Sequence, residues 1–271
     1  PAVDRGTVYI GSGDQHVYAL DLKTGALRWK FRTGDVVHAS PAVAGGTVYV
    51  GSWDRRFYAL DAATGAPRWS FLTGDDPDLH NQIGIASSAA VVEGRVFFGC
   101  RDGHFYALDA ATGSLLWKHD NHKGWVIASP AVAQGTVYFP TSDGRRFKAL
   151  DAATGALRFD RENPAISFSS PTLAGGRLYF GSSDGWLHAL EAATGRELEA
   201  FQSEGNRIYG PAYLDAQGRF RGEALYPSRT LEGLFIGMDR MFSLGAILSS
   251  PLVLEGVCIA ACADGTVYAL E

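Results

Sequence analysis

Cysteine is scarce, with three residues, Cys100, Cys258 and Cys262, in a chain of 271. None are adjacent. Cys258 and Cys262 lie four residues apart on one predicted strand, roughly 13 Å at about 3.3 Å per residue. Cys100 and Cys262 occupy the same position in two distant copies of a repeat, beyond the ~7 Å Cα separation that a bridge tolerates. A disulfide scaffold is therefore excluded, and three free, small, buried thiols are expected. An excess of basic residues is also absent: Lys+Arg number 24 against 29 Asp+Glu, a net charge of −5. With no basic field to hold a phosphate backbone, nucleic acid is excluded as a partner. No apolar run approaches the roughly 18 residues of a membrane span, the densest, Val253 to Ala263, being broken by Glu255 and Gly256. No basic–apolar leader stands at Pro1, so export is not legible directly. Windows with a 3.6-residue apolar period long enough for a helix are lacking, which argues against a helical solenoid. Gly-x-Ser-x-Gly, His-Glu-x-x-His, Walker and Cys-x-x-Cys motifs are missing too.

What is abundant is glycine, 33 residues, and aromatic side chains, 12% of the chain. That pairing fits many turns and many strands. The phrase Tyr18-Ala19-Leu20-Asp21 returns at Tyr58, Tyr106, Lys148, His188 and Tyr268, ending Asp or Glu each time. A Ser-Pro-Ala-Val phrase recurs around Pro1, Pro41, Ala89, Pro130, Pro171, Pro211 and Pro251, at spacings of 40, 48, 41, 41, 40 and 40 residues. Seven copies of about forty residues indicate a repeat architecture. Within the second copy, Ala39 to Val43, Thr47 to Gly51, Phe57 to Leu60 and Arg68 to Leu72 read as strands A to D, separated by Gly and Asp turns. The expectation is an all-β, seven-bladed β-propeller of four-stranded antiparallel blades. Its blades fall near 1–34, 35–74, 84–120, 125–162, 166–204, 207–245 and 247–271, in one domain spanning 1–271. Copy six loses the repeat phrases and carries Tyr226-Pro227-Ser228-Arg229-Thr230 and Met238-Asp239-Arg240-Met241 instead. Copy seven stops after strand C, so its fourth strand is expected before Pro1, or else the last blade has three strands.

Ala19 to Trp29 reads A-L-D-L-K-T-G-A-L-R-W, and the phrase recurs at Ala59–Trp69, Ala107–Trp117 and, with Phe159 for Trp, Ala149–Phe159. It resembles the tryptophan-docking motif of quinoprotein (PQQ-like) propellers, over essentially the whole chain. In that motif Asp caps the turn, Gly supplies a positive φ, and the indole lies against the neighbouring blade. One branch of the family, the PQQ-dependent alcohol and sugar dehydrogenases, implies a cofactor beneath a vicinal Cys-Cys disulfide with a Ca²⁺ site, in eight blades and about twice this length. The other branch contains binding scaffolds, among them the lipoprotein of the outer-membrane β-barrel assembly machinery, and ligand-sensing propellers attached to bacterial kinases. The three non-adjacent cysteines depart from the enzyme pattern. The resemblance thus implies an exported, periplasmic, monomeric scaffold with no cofactor, recognising a protein or small-molecule ligand. Its rivals are a quinoprotein-like or other enzyme with a site at the channel mouth, PQQ with Ca²⁺ included, and the sensor domain of a signalling protein.

Recognition is expected on the face carrying the B–C and D–A loops, which vary while the A–B and C–D turns stay monotonous. The 48-residue spacing places an insertion there, Gly74 to Gly84, offering His80, Asn81 and Gln82. The repeat serves as an internal control. His38 is the polar member of a layer otherwise made of Ala86, Ile127, Phe168, Ile208 and Leu248. Arg207 is a cation where Val37, Ile85 and Val126 stand, and must face solvent, an anionic ligand or an acid such as Asp239. Tyr209 replaces a small residue and would narrow the channel. Trp53, Arg55, Arg101, Trp125 and Trp186 lie outside the consensus on the same face, and Arg240 joins them from copy six. Aromatic rings with arginine are what interfaces and sugar-binding surfaces use. Asp14, Asp54, Asp102, Asp143, Asp184 and Asp264 recur at one B–C position, which reads as turn capping rather than a metal ring. His119 and His122, spaced by three, are a weak metal signal.

Overall fold

The computed structural model describes residues 1–74, 84–122 and 124–271. It contains six antiparallel sheets. The first is β1 (Ala2–Asp4), β2 (Thr7–Gly11), β3 (His16–Asp21) and β4 (Leu27–Arg32). The second is β5 (Ala42–Ala44), β6 (Thr47–Gly51), β7 (Arg56–Asp61) and β8 (Pro67–Leu72). The third is β9 (Ala90–Val92), β10 (Arg95–Gly99), β11 (His104–Asp109) and β12 (Leu115–Asp120). The fourth comprises β13 (Ala131–Ala133), β14 (Thr136–Pro140), β15 (Arg146–Asp151) and β16 (Leu157–Glu162), and the fifth β17 (Thr172–Ala174), β18 (Arg177–Gly181), β19 (Trp186–Glu191) and β20 (Glu197–Gln202). The last has three strands, β21 (Leu252–Leu254), β22 (Val257–Ala261) and β23 (Val267–Leu270). Each sheet is a simple meander in chain order, the arrangement of a propeller blade. The chain divides into two compact units, Pro1–Val137 with Leu150–Ala156, and Tyr138–Ala149 with Leu157–Glu271.

Burial explains the strand patterns. β6 is buried at all five positions, so both its faces are covered and it reads as a near-continuous apolar run, whereas the outer β8 alternates exposed and half-buried. Val48 pairs with Leu60 and Ala59 with Trp69, and a bulge between Ala59 and Leu60 recurs at the same point in the first, third and fifth sheets. Strand A is shorter than expected, starting at Ala42 rather than Ala39. Pro41 has no N–H to give to a ladder. Gly51 ends β6 because a Cβ there would collide with Ile85 of the following segment, and Gly11 and Gly99 have the same relation to Val37 and Val126.

The repeated tryptophan docks as the motif implies. Trp29 Nε1 donates to the Ala62 carbonyl at 2.9 Å, Tyr9 donates its hydroxyl to the same oxygen at 3.0 Å, and the indole lies over Gly65. Trp69 and Tyr49 repeat this on the Ala110 carbonyl at 3.1 and 3.0 Å, over Gly113. Trp117 donates to Ala152 at 3.2 Å, over Gly155. At the fifth copy Glu199 stands in the docking position, and a groove of about 480 Å³ lies beside it, lined by Tyr179, Phe201, Cys258 and Leu270. In the first four sheets the Asp that opens the C–D turn accepts from two backbone N–H groups and from the Thr hydroxyl three residues on, as Asp61 does from Ala63 N, Thr64 N and Thr64 Oγ1.

Among the described residues there is no seventh sheet: the expected blade at 207–245 is helical. α1 (Glu204–Tyr213), α2 (Gly222–Leu225) and α3 (Leu231–Ser243) occupy it, so a helix does form where the sequence showed no long 3.6-residue period. Two caps account for it. Ser203 Oγ accepts from Asn206 N and Thr230 Oγ1 from Gly233 N, both at 3.1 Å. Ser203 holds the repeat position of Thr33 and Thr73, where the chain otherwise turns towards the next strand. Among the described residues no helix is long and apolar enough to cross a membrane.

Candidate binding face

The first unit brings four of the expected residues into one stack. Trp53 sits in the β6–β7 turn, and its peptide N–H donates to the Val36 carbonyl at 3.0 Å; Arg101, at the same position in the β10–β11 turn, donates likewise to Gly84 at 3.1 Å. Those backbone bonds fix both turns against the segments that precede β5 and β9. The Arg101 guanidinium lies 3.9 Å from the Trp125 ring centroid and 4.7 Å from that of Trp53, a cation between two indoles. His38, exposed, meets Trp53 edge-on at 5.4 Å. Each cation–π contact contributes from about 0.5 to 2 kcal/mol depending on desolvation, so the guanidinium is restrained rather than free to sweep through solvent.

Polar groups beside the stack are left over. Trp53 Nε1 is buried with no hydrogen-bond partner among the described residues, and so are both amide atoms of Asn121. Asn121 bonds through its backbone to Gly103 and Gly124, at 2.9 and 3.0 Å, and so flanks the turns carrying Arg101 and Trp125. In the first two copies this position is Thr33 and Thr73, whose hydroxyls donate to the Gln15 and Arg55 carbonyls at 3.0 Å. The longer amide of Asn121 finds no such mate among the described residues. A buried, unmatched amide costs about 1–3 kcal/mol. The sequence carries the signal as an asparagine where the first two copies have threonine.

Arg55 occupies the tight turn after Asp54 with φ +69°, where Gly103, Gly185 and Gly265 stand in other copies. A left-handed conformation costs a side-chain-bearing residue roughly 1–2 kcal/mol, so the arginine persists against local strain. Arg55→Gly is expected to raise the unfolding free energy by up to about 1 kcal/mol, measured as a higher denaturant midpoint with unchanged slope. A lower midpoint would show that the side chain holds the turn together.

The recurring Asp residues cap turns. Asp14, Asp54, Asp102 and Asp264 accept from the backbone N–H two residues on, at 3.2, 2.8, 3.0 and 2.9 Å. Asp14 and Asp54 also accept the hydroxyls of Tyr18 and Tyr58 at 2.5 and 2.6 Å, and Asp102 that of Tyr106. The Tyr18 bond holds the Asp14 carboxyl below its usual range, while burial, then the carboxylate, pushes the Tyr58 phenol well up. Among the described residues no three His, Cys, Asp or Glu side chains form a group that could hold a metal. His122 merely faces Asp120 at 3.8 Å, both exposed, and His119 lies in β12. The three cysteines are free; Cys100 and Cys258 are buried and Cys262 half-buried, with burial pushing the Cys262 thiol up to about 11. The vicinal Cys–Cys pair of the enzyme branch is thus not among the three cysteines.

The remaining expected residues fall elsewhere. His80, Asn81 and Gln82 lie outside the described residues. In the second unit, Arg207 and Tyr209 are exposed on α1, and Arg207 makes no ion pair with Asp239 among the described residues. Arg240 turns inward, donating to the Ala224 carbonyl at 2.8 Å and lying 5.7 Å from the Tyr213 ring. The same unit contains a polar chain that the motif search missed: His188 Nδ1 meets Glu197 at 2.7 Å and its Nε2 meets Ser182 Oγ at 3.3 Å. Ser182 is fully buried and donates to Asp184, whose carboxyl burial pushes up. The order imitates a nucleophile with its base, but no substrate reaches that oxygen. His188 replaces the repeat tyrosine and Glu197 a leucine, so the pair was visible as a correlated change.

Docked indoles on successive Thr-Gly turns, together with meander sheets, define a PQQ-like repeat propeller. The chain belongs to the family described as outer membrane protein assembly factor BamB, whose profile matches residues 1–120 and 79–209. No curated protein matches it. Among solved structures, the computationally designed Ika8 protein is 18% identical with a TM-score of 0.72, covering 100% of this chain and 69% of that one. BamB from Moraxella catarrhalis is 20% identical with a TM-score of 0.64, over 97% and 79%. Quinohemoprotein alcohol dehydrogenase from Comamonas testosteroni is 21% identical with a TM-score of 0.67, over 81% of this chain and 44% of that one. At such identities the likeness concerns the fold alone.

Proposed function

We propose that this chain is a non-catalytic binding propeller that recognises a partner protein through the face carrying Trp53, Arg101 and Trp125. The observation that carries this reading is the sandwiched guanidinium of Arg101, 3.9 and 4.7 Å from its two indoles. Large, rigid aromatic surface beside an ordered arginine is the composition of an interface anchor, and among the described residues no metal-holding group of His, Cys, Asp or Glu stands with it. The family description names assembly of outer membrane proteins, which favours a protein over a small molecule as the guest, and an exported, monomeric, periplasmic chain is the setting that this reading calls for.

A photo-crosslinking amino acid at exposed His38 is expected to yield one discrete adduct in the native host, abolished by Arg101→Ala. The same probe at Lys23, in the turn at the opposite ends of the strands, is expected to yield none. Equal adducts from both positions would overturn the assignment of the face. Dye reduction by the purified protein on adding PQQ and Ca²⁺ would overturn the non-catalytic reading.

A further inference from the structure

Helix α3 is turned inside out. Leu231, Leu234, Phe235 and Met238 recur at i, i+3, i+4 and i+7, the stripe that an ordinary surface helix buries. Here their relative exposures are 75, 46, 63 and 37%. The side that faces the protein is instead made of glycine: the Tyr226 ring packs on Gly237 and Ser228 on Gly233, where any Cβ would collide. Arg240 completes that inner face through the Ala224 carbonyl. A helix that gives glycines to its own fold and a leucine–phenylalanine stripe to water is shaped for something else to cover it. At its N-terminal end a cleft of about 460 Å³, lined by Tyr226, Arg229, Thr230, Leu231 and Leu234, can take an inserted apolar side chain.

Charge selects the occupant. Glu232 and Asp239 are seven residues apart, hence on one edge of the stripe, and both are exposed; the exposed cation beside them is Arg229, in the lining of the cleft. A lipid surface rich in anionic headgroups would repel them. A second copy of α3 packed antiparallel about a twofold axis would bring both carboxylates to the same side as their counterparts, a like-charge contact. We infer that the outer face of α3 docks an amphipathic helix of a partner protein, apolar on one face and carrying Lys or Arg along one edge. Its apolar residues cover Leu234 and Phe235 in helix-on-groove fashion, and its cations meet Glu232 and Asp239.

The test uses the full chain and two fluorescent synthetic peptides, each helical with Leu at i, i+3, i+4 and i+7, one with Lys along an edge and one with Glu. The Lys peptide is expected to bind with a Kd on the order of 10 µM and the Glu peptide at least about tenfold more weakly. Phe235→Ser is expected to weaken the Lys peptide about tenfold or more with the melting temperature unchanged. Paired Glu232→Lys and Asp239→Lys substitutions are expected to invert the preference between peptides. Equal binding of both peptides, or a preference indifferent to charge reversal, would overturn the proposal. So would concentration-dependent dimerisation lost in Phe235→Ser, which makes the occupant a second copy, or binding to anionic vesicles that outcompetes the Lys peptide.

Discussion

Trp29→Ala is expected to lower the unfolding free energy by about 3–5 kcal/mol, the range for removing a large buried aromatic side chain. Trp29 is 8% exposed and packs in the cluster that joins the first two sheets, with Tyr9, Val48 and Leu60. Its loss opens a cavity against Gly65, a turn glycine with no side chain to refill the space. The lost hydrogen bond adds little, because the Ala62 carbonyl keeps the Tyr9 hydroxyl at 3.0 Å and is not left unmatched. Trp53→Ala makes the contrast. That indole is half-buried, its Nε1 has no partner among the described residues, and its neighbours are a cation and an exposed histidine. Its truncation is expected to cost under about 1 kcal/mol while weakening partner capture. Denaturant titrations followed by circular dichroism give both values on one scale. Equal losses would mean that Trp53 is part of the core and that the proposed binding face is misplaced.

The contrast between those two tryptophans also shows how far the sequence could be read. Trp29 recurs with its whole phrase, so repetition alone revealed both the turn and the docking role, and β6 begins and ends where alternation placed it. Repetition misled in the sixth copy. The forty-residue spacing persists through it, yet Ser203 and Thr230 cap helices there, and the i, i+3, i+4, i+7 stripe of α3 spans too few residues to stand out beside strand-like neighbours. The stack was legible only as a list. Trp53, Arg101 and Trp125 break the consensus in different copies, and nothing in linear order says that a guanidinium from one turn lies between indoles from two others. Asn121 was missed because a polar residue replaced another polar residue; what changed was reach, which decides whether a buried donor finds its acceptor.

The docking interaction itself can be isolated in the third sheet. Gly113 has φ +74°, and a Cβ there would stand 2.6 Å from Cδ2 and Cε3 of Trp69. Gly94, in the turn between β9 and β10, has φ +73° and nothing within 4 Å of a Cβ. Alanine at Gly94 therefore meets the backbone penalty alone, roughly 1–2 kcal/mol. Alanine at Gly113 meets the same penalty and must also displace an indole held by its bond to Ala110, so overpacking adds about 1–3 kcal/mol. The expected order of unfolding free energies is wild type, then Gly94→Ala, then Gly113→Ala. In a Trp69→Ala background the excess at Gly113 should vanish, leaving a cost like that at Gly94, and the double-mutant cycle should show a coupling of at least about 1 kcal/mol. If Gly113→Ala costs no more than Gly94→Ala, or if the two substitutions add, the indole does not rest on that turn in solution, and the contact repeated at Gly65 and Gly155 loses its claim to join sheet to sheet.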